Sequence, residues 1–208
     1  MIILLIVLII VTIICCGLSS KSSFKKVDTK THNKLYQMMG KLHSILEEHN
    51  IEYFIAYGTL LGSVREGKII DWDDDIDIYM RSSELHKLKR LTPLLTKEGL
   101  KLDYRDHIWR VNSGGGGSLR DCKAGSLQDY PYIDIFEMKE EVQSTKFIYA
   151  EKYNRDRWSD SLTIKELYPK RKYVLGDLTL YGPNDYHSIL KRLYGDYMVP
   201  VYSAPHGD

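Results

Sequence analysis

Hydrophobic residues recur along the chain with two different periods, which predict helices alternating with strands. The first pattern covers residues 35–49, where apolar positions three and four residues apart indicate an amphipathic helix. A short apolar strand is predicted next, over residues 53–56. Gly58 ends that strand, and Thr59 can cap a following turn of helix that runs through Glu66. A strand, a glycine turn and a helix in this order present backbone N–H groups that can bind an anion.

Two further segments alternate between apolar and polar residues with a period of two, as half-buried strands do. In residues 75–80 this alternation places Asp75 and Asp77 on one face. In residues 132–138, with the sequence YIDIFEM, Asp134 stands between two isoleucines in the same way. The sequence therefore predicts two strands that each carry aspartate on a single face.

The rest of the chain predicts a leucine-rich helix, two more strands and a last helix. Ser82 or Ser83 can cap the leucine-rich helix, which runs towards Gly99 with a break at Pro93. Strands are predicted over residues 100–105 and 108–112, and a helix capped by Asn184 is predicted to end at Gly195. The run SGGGGS, residues 113–118, predicts a flexible loop that is either native or an engineered replacement.

Residues 1–18 are apolar throughout and precede a polar run, which predicts a single membrane-spanning anchor. A cleaved signal peptide and a buried core helix are the alternatives. The lysines that follow the segment favour a cytoplasmic position for the rest of the chain. The predicted organisation is an anchor, a polar juxtamembrane linker, a globular domain and a tail, over residues 1–18, 19–30, 31–200 and 201–208.

Composition limits the function classes open to this chain of 208 residues. Hydrophobic residues make up 43% of it and charged residues 27%, which is ordinary for one globular domain. The formal net charge is +1, so no basic field indicates nucleic acid as a partner. Cys15 and Cys16 end the apolar segment and Cys122 stands alone in the remainder. This excludes an internal disulfide framework and a cysteine zinc site.

Five aspartates crowd into residues 71–77. Carboxylates packed beside an apolar strand repel one another and resist burial unless a cation lies among them. Asp75 and Asp77 lie about 6.5–7 Å apart along an extended strand, close enough to share one or two divalent ions. Asp134 is the candidate for a third ligand, and three carboxylates suit Mg2+, with Mn2+ as an alternative. The other aspartates of the run are equally consistent with a solvated turn: Asp71, Asp73 and Asp74.

A phosphate site is predicted shortly before the aspartate pair. Gly58 permits close approach of the backbone, Thr59 offers a hydroxyl and Arg65 can make a bidentate contact with phosphate. Each feature alone is weak evidence. Their placement beside the predicted metal ligands is what makes the pattern specific.

Three segments together resemble the LicD family, which includes bacterial phosphocholine transferases and, in eukaryotes, fukutin and fukutin-related protein. They are YGTLLGSVREGKIIDWDDDIDIYM at residues 57–80, YIDIF at 132–136 and NDYHSILKRLYGDYM at 184–198. The resemblance covers roughly residues 34–198. Two departures are Ile70-Asp71-Trp72, where the family often has proline before tryptophan, and the lack of the cysteine zinc site associated with fukutin-related protein.

This resemblance implies an α/β fold of the α+β kind, a nucleotidyltransferase-like mixed sheet flanked by helices. It also implies transfer of a phospho-substituent, such as phosphocholine or ribitol phosphate, from a CDP-linked donor to a hydroxyl of a glycan acceptor. Trp72 either stacks on the cytosine base of the donor or packs in the core. The implied roles are metal ligation by Asp75 and Asp77, ligation or general-base catalysis by Asp134, and binding of donor phosphate by Gly58, Thr59 and Arg65.

Two other functions stay open. The chain could transfer the nucleotide itself to a small molecule or sugar, with release of pyrophosphate. It could also be an inactive, membrane-tethered protein that binds or assembles glycans. The membrane side is open as well, because a type II topology fits the family and places the domain in the Golgi or ER lumen, whereas the lysines favour the cytoplasmic face.

Overall fold

The computed structural model describes residues 26–114, 130–141, 144–157 and 161–200. The predicted anchor, most of the linker, most of the glycine loop and the tail lie outside these residues. The predicted domain boundaries therefore stay predictions. Within the described ranges, no helix is both long enough and apolar enough to cross a membrane.

Helices and strands alternate along the described residues, largely as the hydrophobic pattern predicts. The helices are α1 (Thr29–Glu48), α2 (Tyr57–Glu66), α3 (Ser82–Arg90), α4 (Thr92–Lys97), α5 (Lys152–Arg157), α6 (Ile164–Leu167) and α7 (Tyr186–Tyr194). The strands are β1 (Phe54–Ile55), β2 (Ile76–Arg81), β3 (Lys101–Arg105), β4 (Ile108–Asn112), β5 (Ile133–Glu140), β6 (Lys146–Tyr149), β7 (Leu162–Thr163), β8 (Arg171–Leu175) and β9 (Leu178–Gly182).

The central sheet of the described residues is mixed. Its strand order is β1-β2-β5-β4-β3, with β6 beside β5 and β7 beside β6. Strands β2 and β5 run parallel, and the other pairs are antiparallel. Strands β8 and β9 form a separate antiparallel hairpin. The predicted mixed sheet with helices is therefore confirmed.

Helix α1 and the two central strands supply much of the core. Leu35, Leu42 and Leu46 of α1 are fully buried, and each such side chain contributes about 1.5–3 kcal/mol relative to exposure. One face of β2 and β5 carries fully buried isoleucines, namely Ile76, Ile78, Ile133 and Ile135. Because side chains alternate along a strand, Asp77 and Asp134 lie on the opposite face. The apolar face thus anchors the strands that carry the acidic residues.

Helix α2 begins earlier than the sequence predicts. It starts at Tyr57, with Ala56 at the N-cap position and no side-chain cap, so the prediction of Thr59 as the cap is wrong. The Thr59 side chain is buried and bonds to strand β2 instead. A threonine hydroxyl suits either role, which is why the local sequence did not distinguish them.

The predicted caps of α3 and α7 are also wrong. Helix α3 begins at Ser82 with Arg81 at the N-cap, so neither predicted serine holds that position. Helix α7 is capped by Asp185, whose carboxylate accepts a hydrogen bond from the Ser188 backbone N–H at 3.1 Å. The carboxylate that follows Asn184 meets the same requirement as the predicted asparagine.

Residues 144–182 contain elements that the hydrophobic pattern did not predict, from β6 to β9. These helices and strands are short, and many of their side chains are exposed. A period of two or of 3.6 residues needs a longer segment to be recognised. The hairpin of β8 and β9 packs against α2 and β1.

Candidate metal centre

Three aspartates meet at the start of strands β2 and β5. Asp77 and Asp134 are cross-strand partners in this parallel pair, and Asp75 directly precedes β2. One carboxylate oxygen from each of the three lies within 4.8 Å of the other two. Asp77 is 9% exposed and Asp134 7%. This aspartate triad of Asp75, Asp77 and Asp134 is close enough to bind one divalent ion.

A second acidic group adjoins the aspartate triad and shares Asp75 with it. Carboxylate oxygens of Asp73, Asp74 and Asp75 also lie within 4.8 Å of one another. The Tyr130 hydroxyl donates a hydrogen bond to Asp74 Oδ2 at 3.1 Å. The sequence is equally consistent with a turn or a metal site for Asp73 and Asp74, and the structure places both of them beside the triad.

Asp71, the first aspartate of the acidic run, has a different environment. It pairs with Lys26 at 2.5 Å and also with Lys68. Hydrogen bonds from these two lysines lower the pKa of Asp71 to about 2. Asp71 is therefore a partly exposed salt-bridge residue.

The start of helix α2 holds Asp77 in place. The Thr59 hydroxyl oxygen accepts a hydrogen bond from the Asp77 backbone N–H at 2.8 Å, and the Gly58 backbone hydrogen-bonds to the Asp77 carboxylate. Gly58 also makes room for Asp73, because a Cβ at this position would lie far inside van der Waals distance of Asp73 Oδ2. Gly58 and Thr59, which the sequence predicts to bind donor phosphate, thus contact the acidic residues directly.

An arginine that the sequence analysis did not single out binds Asp134. Arg110 of β4 is the cross-strand partner of Asp134 in β5, and its Nε donates a hydrogen bond to Asp134 Oδ1 at 2.9 Å. Among the described residues, Arg110 is the cation in ion-pair contact with the aspartate triad. Three carboxylates and one guanidinium leave an excess of negative charge here.

Burial and mutual repulsion act together on these carboxyl groups. Burial, then the charges of Asp77 and Asp73, raises the pKa of Asp75 well above its ordinary value. Burial, then the charges of Asp73 and Asp134, raises the pKa of Asp77 in the same way. Burial raises the pKa of Asp73 to about 7, and it raises the pKa of Asp134 against the opposing effect of Arg110. A cation among these groups would relieve their repulsion.

Arg65 and Trp72, the other predicted donor-binding residues, lie together. The Arg65 guanidinium is 5.9 Å from the centre of the Trp72 ring and bonds to the Glu66 carboxylate at 2.6 Å. Trp72 is half-buried and packs against the core. Neither residue is part of the two acidic groups, so donor binding by this pair stays a prediction.

Tyr194 in α7 is a further residue that the sequence analysis missed. Burial and then the charges of Asp77, Asp73 and Asp75 raise its pKa, which places the phenol within electrostatic reach of the acidic residues. The residue as a whole is 39% exposed, while its phenol group is surrounded by protein. With 16 tyrosines in the chain, no local signal distinguishes this one. Only the packing of α7 near α2 reveals it.

A known protein family matches the part of the chain that contains this site. The family model described as LicD/FKTN/FKRP, nucleotidyltransferase domain, matches residues 50–185. This range includes the aspartate triad and Arg110. The chain belongs to the LicD family.

Individual relatives match over shorter shares of their own length. The uncharacterized protein RP689 of Rickettsia prowazekii is 33% identical over 184 residues, which cover 87% of this chain and 62% of that protein. The lipopolysaccharide cholinephosphotransferase LicD of Haemophilus influenzae is 29% identical over 112 residues, covering 51% of this chain and 42% of that protein. The human ribitol 5-phosphate transferase FKRP is 31% identical over 65 residues, covering 31% of this chain and 13% of that protein. The chain thus spans less than two thirds of each of these relatives.

A comparison with solved structures matches that of ANT(2")-Ia in complex with adenylyl-2"-tobramycin. It shares 12% sequence identity with this chain, with a TM-score of 0.45. The match covers 79% of this chain and 78% of that one.

Proposed function

We propose that this chain is a metal-dependent transferase that moves a substituted phosphate from a CDP-linked donor to a hydroxyl group of a glycan. The aspartate triad on adjacent strands is the observation that carries the proposal. Two relatives are named as a cholinephosphotransferase acting on lipopolysaccharide and as a ribitol 5-phosphate transferase. Phosphocholine and an alditol phosphate are therefore the proposed transferred groups.

The residues of the aspartate triad fit Mg2+, with Mn2+ as an alternative. All three offer carboxylate oxygens, the hard ligands that Mg2+ prefers, and Mg2+ sites commonly keep positions for water and substrate phosphate. The excess negative charge of the triad also favours a divalent cation. Such an ion, when bound, neutralises charge on the donor phosphates during transfer.

The side chains of the site have separate proposed roles. Asp75 and Asp77 are the first two ligands, and Gly58 and Thr59 keep Asp77 in place through the contacts described above. Asp134 serves as the third ligand or accepts the proton of the acceptor hydroxyl. The hydroxyl oxygen forms a bond to phosphorus as the bond from phosphorus to the CMP oxygen breaks, and CMP leaves.

Arg65 and Trp72 are the proposed donor contacts outside the triad. Arg65 would bind a donor phosphate, and Trp72 would stack on the cytosine base. Their mutual contact supports a shared role, because a base stacked beside the ring would bring its phosphates towards the guanidinium. Arg65 would then exchange its bond to Glu66 for one to phosphate.

Two rival functions predict different results in a product assay. The family description names a nucleotidyltransferase domain, which favours transfer of the nucleotide itself, with release of pyrophosphate, as the second candidate. The other rival is an inactive glycan-binding or assembly protein, which makes no product. The burial of mutually repelling carboxylates disfavours it, because a protein that binds no metal gains nothing from them.

We also propose that residues 1–18 anchor the chain in a membrane by a single span. Their apolar sequence supports this proposal. Protease protection of the globular domain in intact vesicles would distinguish the lumenal from the cytoplasmic orientation.

The deciding experiment for the proposed function is product analysis with the full chain. CDP-choline, CDP-ribitol and CDP-glycerol are each incubated with a glycan acceptor, in Mg2+ or in EDTA. Release of CMP that needs Mg2+ and acceptor supports the proposal. CTP and a sugar acceptor form the parallel arm, in which release of pyrophosphate would favour nucleotidyl transfer. No product in either arm, from a folded protein, would favour the binding protein.

A further inference from the structure

Arg110 contacts the aspartate triad through Asp134, whereas helix α2 contacts it through Asp77. Arg110 lies in the middle of β4, directly across from Asp134. Its Nε donates to Asp134 Oδ1 at 2.9 Å, and another of its nitrogens donates to Asp106 Oδ2 at 3.2 Å. The guanidinium lies 5.0 Å from the centre of the Tyr132 ring. Two hydrogen bonds and a ring contact therefore fix the orientation of this side chain.

The same contacts fix Asp134. The side chains of Arg110 and Asp134 are 20% and 10% exposed, so water does little to screen or replace their ion pair. The hydrogen bond from Arg110 goes to Oδ1, so it leaves Asp134 Oδ2 available to a metal ion. A carboxylate held by one oxygen presents the other at a defined position, as the outer partners of metal ligands commonly ensure.

We infer that Arg110 is a positioning residue, which holds Asp134 so that the Asp134 carboxylate completes the metal centre. This inference rests on the proposed function, since it assigns the aspartate triad to a divalent ion. Arg110 itself need not touch the ion, the donor or the acceptor.

Three other roles for Arg110 predict different results. As a counter-ion only, Arg110 would repel a divalent cation, and its removal would tighten metal binding. As a packing residue only, its removal would lower stability and leave the metal affinity of the folded protein unchanged. As a donor contact, its removal would raise the KM for the donor and leave Mn2+ binding unchanged.

The test measures Mn2+ affinity directly, from the paramagnetic resonance signal of free Mn2+ titrated with the full chain, without donor or acceptor. We expect Arg110→Ala to weaken Mn2+ binding at least tenfold. We expect Arg110→Lys, which keeps the charge but loses the planar fork of donors, to weaken it by a smaller factor. Arg105→Ala is the matched control, because Arg105 lies on the neighbouring strand β3 and pairs with Asp103 instead. Its affinity should equal that of the wild type.

A double-mutant cycle shows whether Arg110 acts through Asp134. Asp134→Ala should weaken Mn2+ binding, and adding Arg110→Ala to it should cause no further loss. An additional tenfold loss in that background would contradict the inference, as would tighter or unchanged binding by Arg110→Ala alone. If Arg110→Ala does not fold, Arg110→Lys decides. Failure of Arg110→Lys to fold would identify a structural residue and overturn the inference.

Different results would contradict the proposed metal centre and the positioning role of Arg110. No Mn2+ binding by the wild-type chain would contradict the metal centre of the proposed function, and the inference with it. Wild-type binding that Arg110 variants do not weaken would contradict the inference alone. Once a donor is identified, positioning also predicts a lower kcat in Arg110→Lys with little change in the donor KM.

Discussion

The Thr59 hydroxyl accepts a hydrogen bond from the backbone N–H of Asp77 at 2.8 Å, between the start of α2 and strand β2. Both groups are buried. The bond connects the glycine-threonine turn to the aspartate triad, two features that the sequence places on separate elements. It gives Thr59 a role in placing a proposed metal ligand, whatever contact it also makes with the donor.

Replacing Thr59 tests this bond. Thr59→Val keeps the shape of the side chain but leaves the Asp77 N–H buried and unpaired, which should lower the free energy of unfolding by about 1–3 kcal/mol. Thr59→Ser keeps the hydroxyl and should lose less. Denaturant unfolding of the three proteins measures the difference. Equal stability of the valine and wild-type proteins would show that this bond does not hold Asp77.

Replacing Gly58 tests the close approach of Asp73. A Cβ at position 58 collides with the Asp73 carboxylate, so Gly58→Ala should displace the acidic group and weaken Mn2+ binding at least tenfold. Gly40→Ala is the matched control. Its Cβ would meet Leu178 at an ordinary 3.4 Å, and alanine is favoured over glycine within a helix by up to about 1 kcal/mol. Equal Mn2+ affinity of the two variants would contradict the steric argument.

Removing one carboxylate of the aspartate triad should abolish turnover without unfolding the protein. Asp75→Ala and Asp77→Ala should each lose detectable turnover, while thermal stability without metal stays the same or rises because repulsion is relieved. Asp71→Ala is the control within the same acidic run. It loses partly exposed ion pairs worth about 0–1 kcal/mol and should keep its turnover. Near-full activity of either triad variant would show that the metal assignment is wrong.

Arg65 has two candidate roles, donor binding and packing against Trp72. If it binds donor phosphate, Arg65→Ala should raise the KM for the donor about tenfold or more, with a smaller change in kcat. Glu66→Gln removes the negative charge of the present partner of Arg65 and should leave the donor KM unchanged or lower it. Steady-state kinetics of CMP release measures both. An unchanged KM in Arg65→Ala would assign the residue to packing.

The sequence predicts the central part of the fold because its periodic segments there are long enough to be recognised. The alternation around Asp77 and Asp134 identifies both strands, and the isoleucines between the aspartates form the buried face. The two strands are neighbours and run parallel, with the two aspartates in register. This pairing belongs to the tertiary structure and leaves no signal in the local sequence. The sequence predicts Asp134 as a third carboxylate near Asp75 and Asp77, and the pairing of β2 with β5 is what brings it there.

The rest of the site depends on pairings that leave no local signal. Arg110 reaches Asp134 only because β4 pairs antiparallel with β5, and the sequence around it shows ordinary strand alternation. Thr59 has the properties of a helix cap in the sequence, and its contact with β2 emerges only when the strand packs beside α2. Polar residues with several suitable partners are therefore the ones that sequence analysis assigns least well.

The most direct test of the central claim is the thermal stability of the full chain with CDP-choline, CDP-ribitol or CDP-glycerol, in Mg2+ and in EDTA. CTP and UDP-sugars serve as comparison ligands. We expect a rise in the unfolding temperature with one of the CDP-linked donors in Mg2+, lost in EDTA and absent from Asp75→Ala. No rise with any CDP-linked donor, or an equal rise in EDTA and in Asp75→Ala, would contradict a metal-dependent donor site at the aspartate triad.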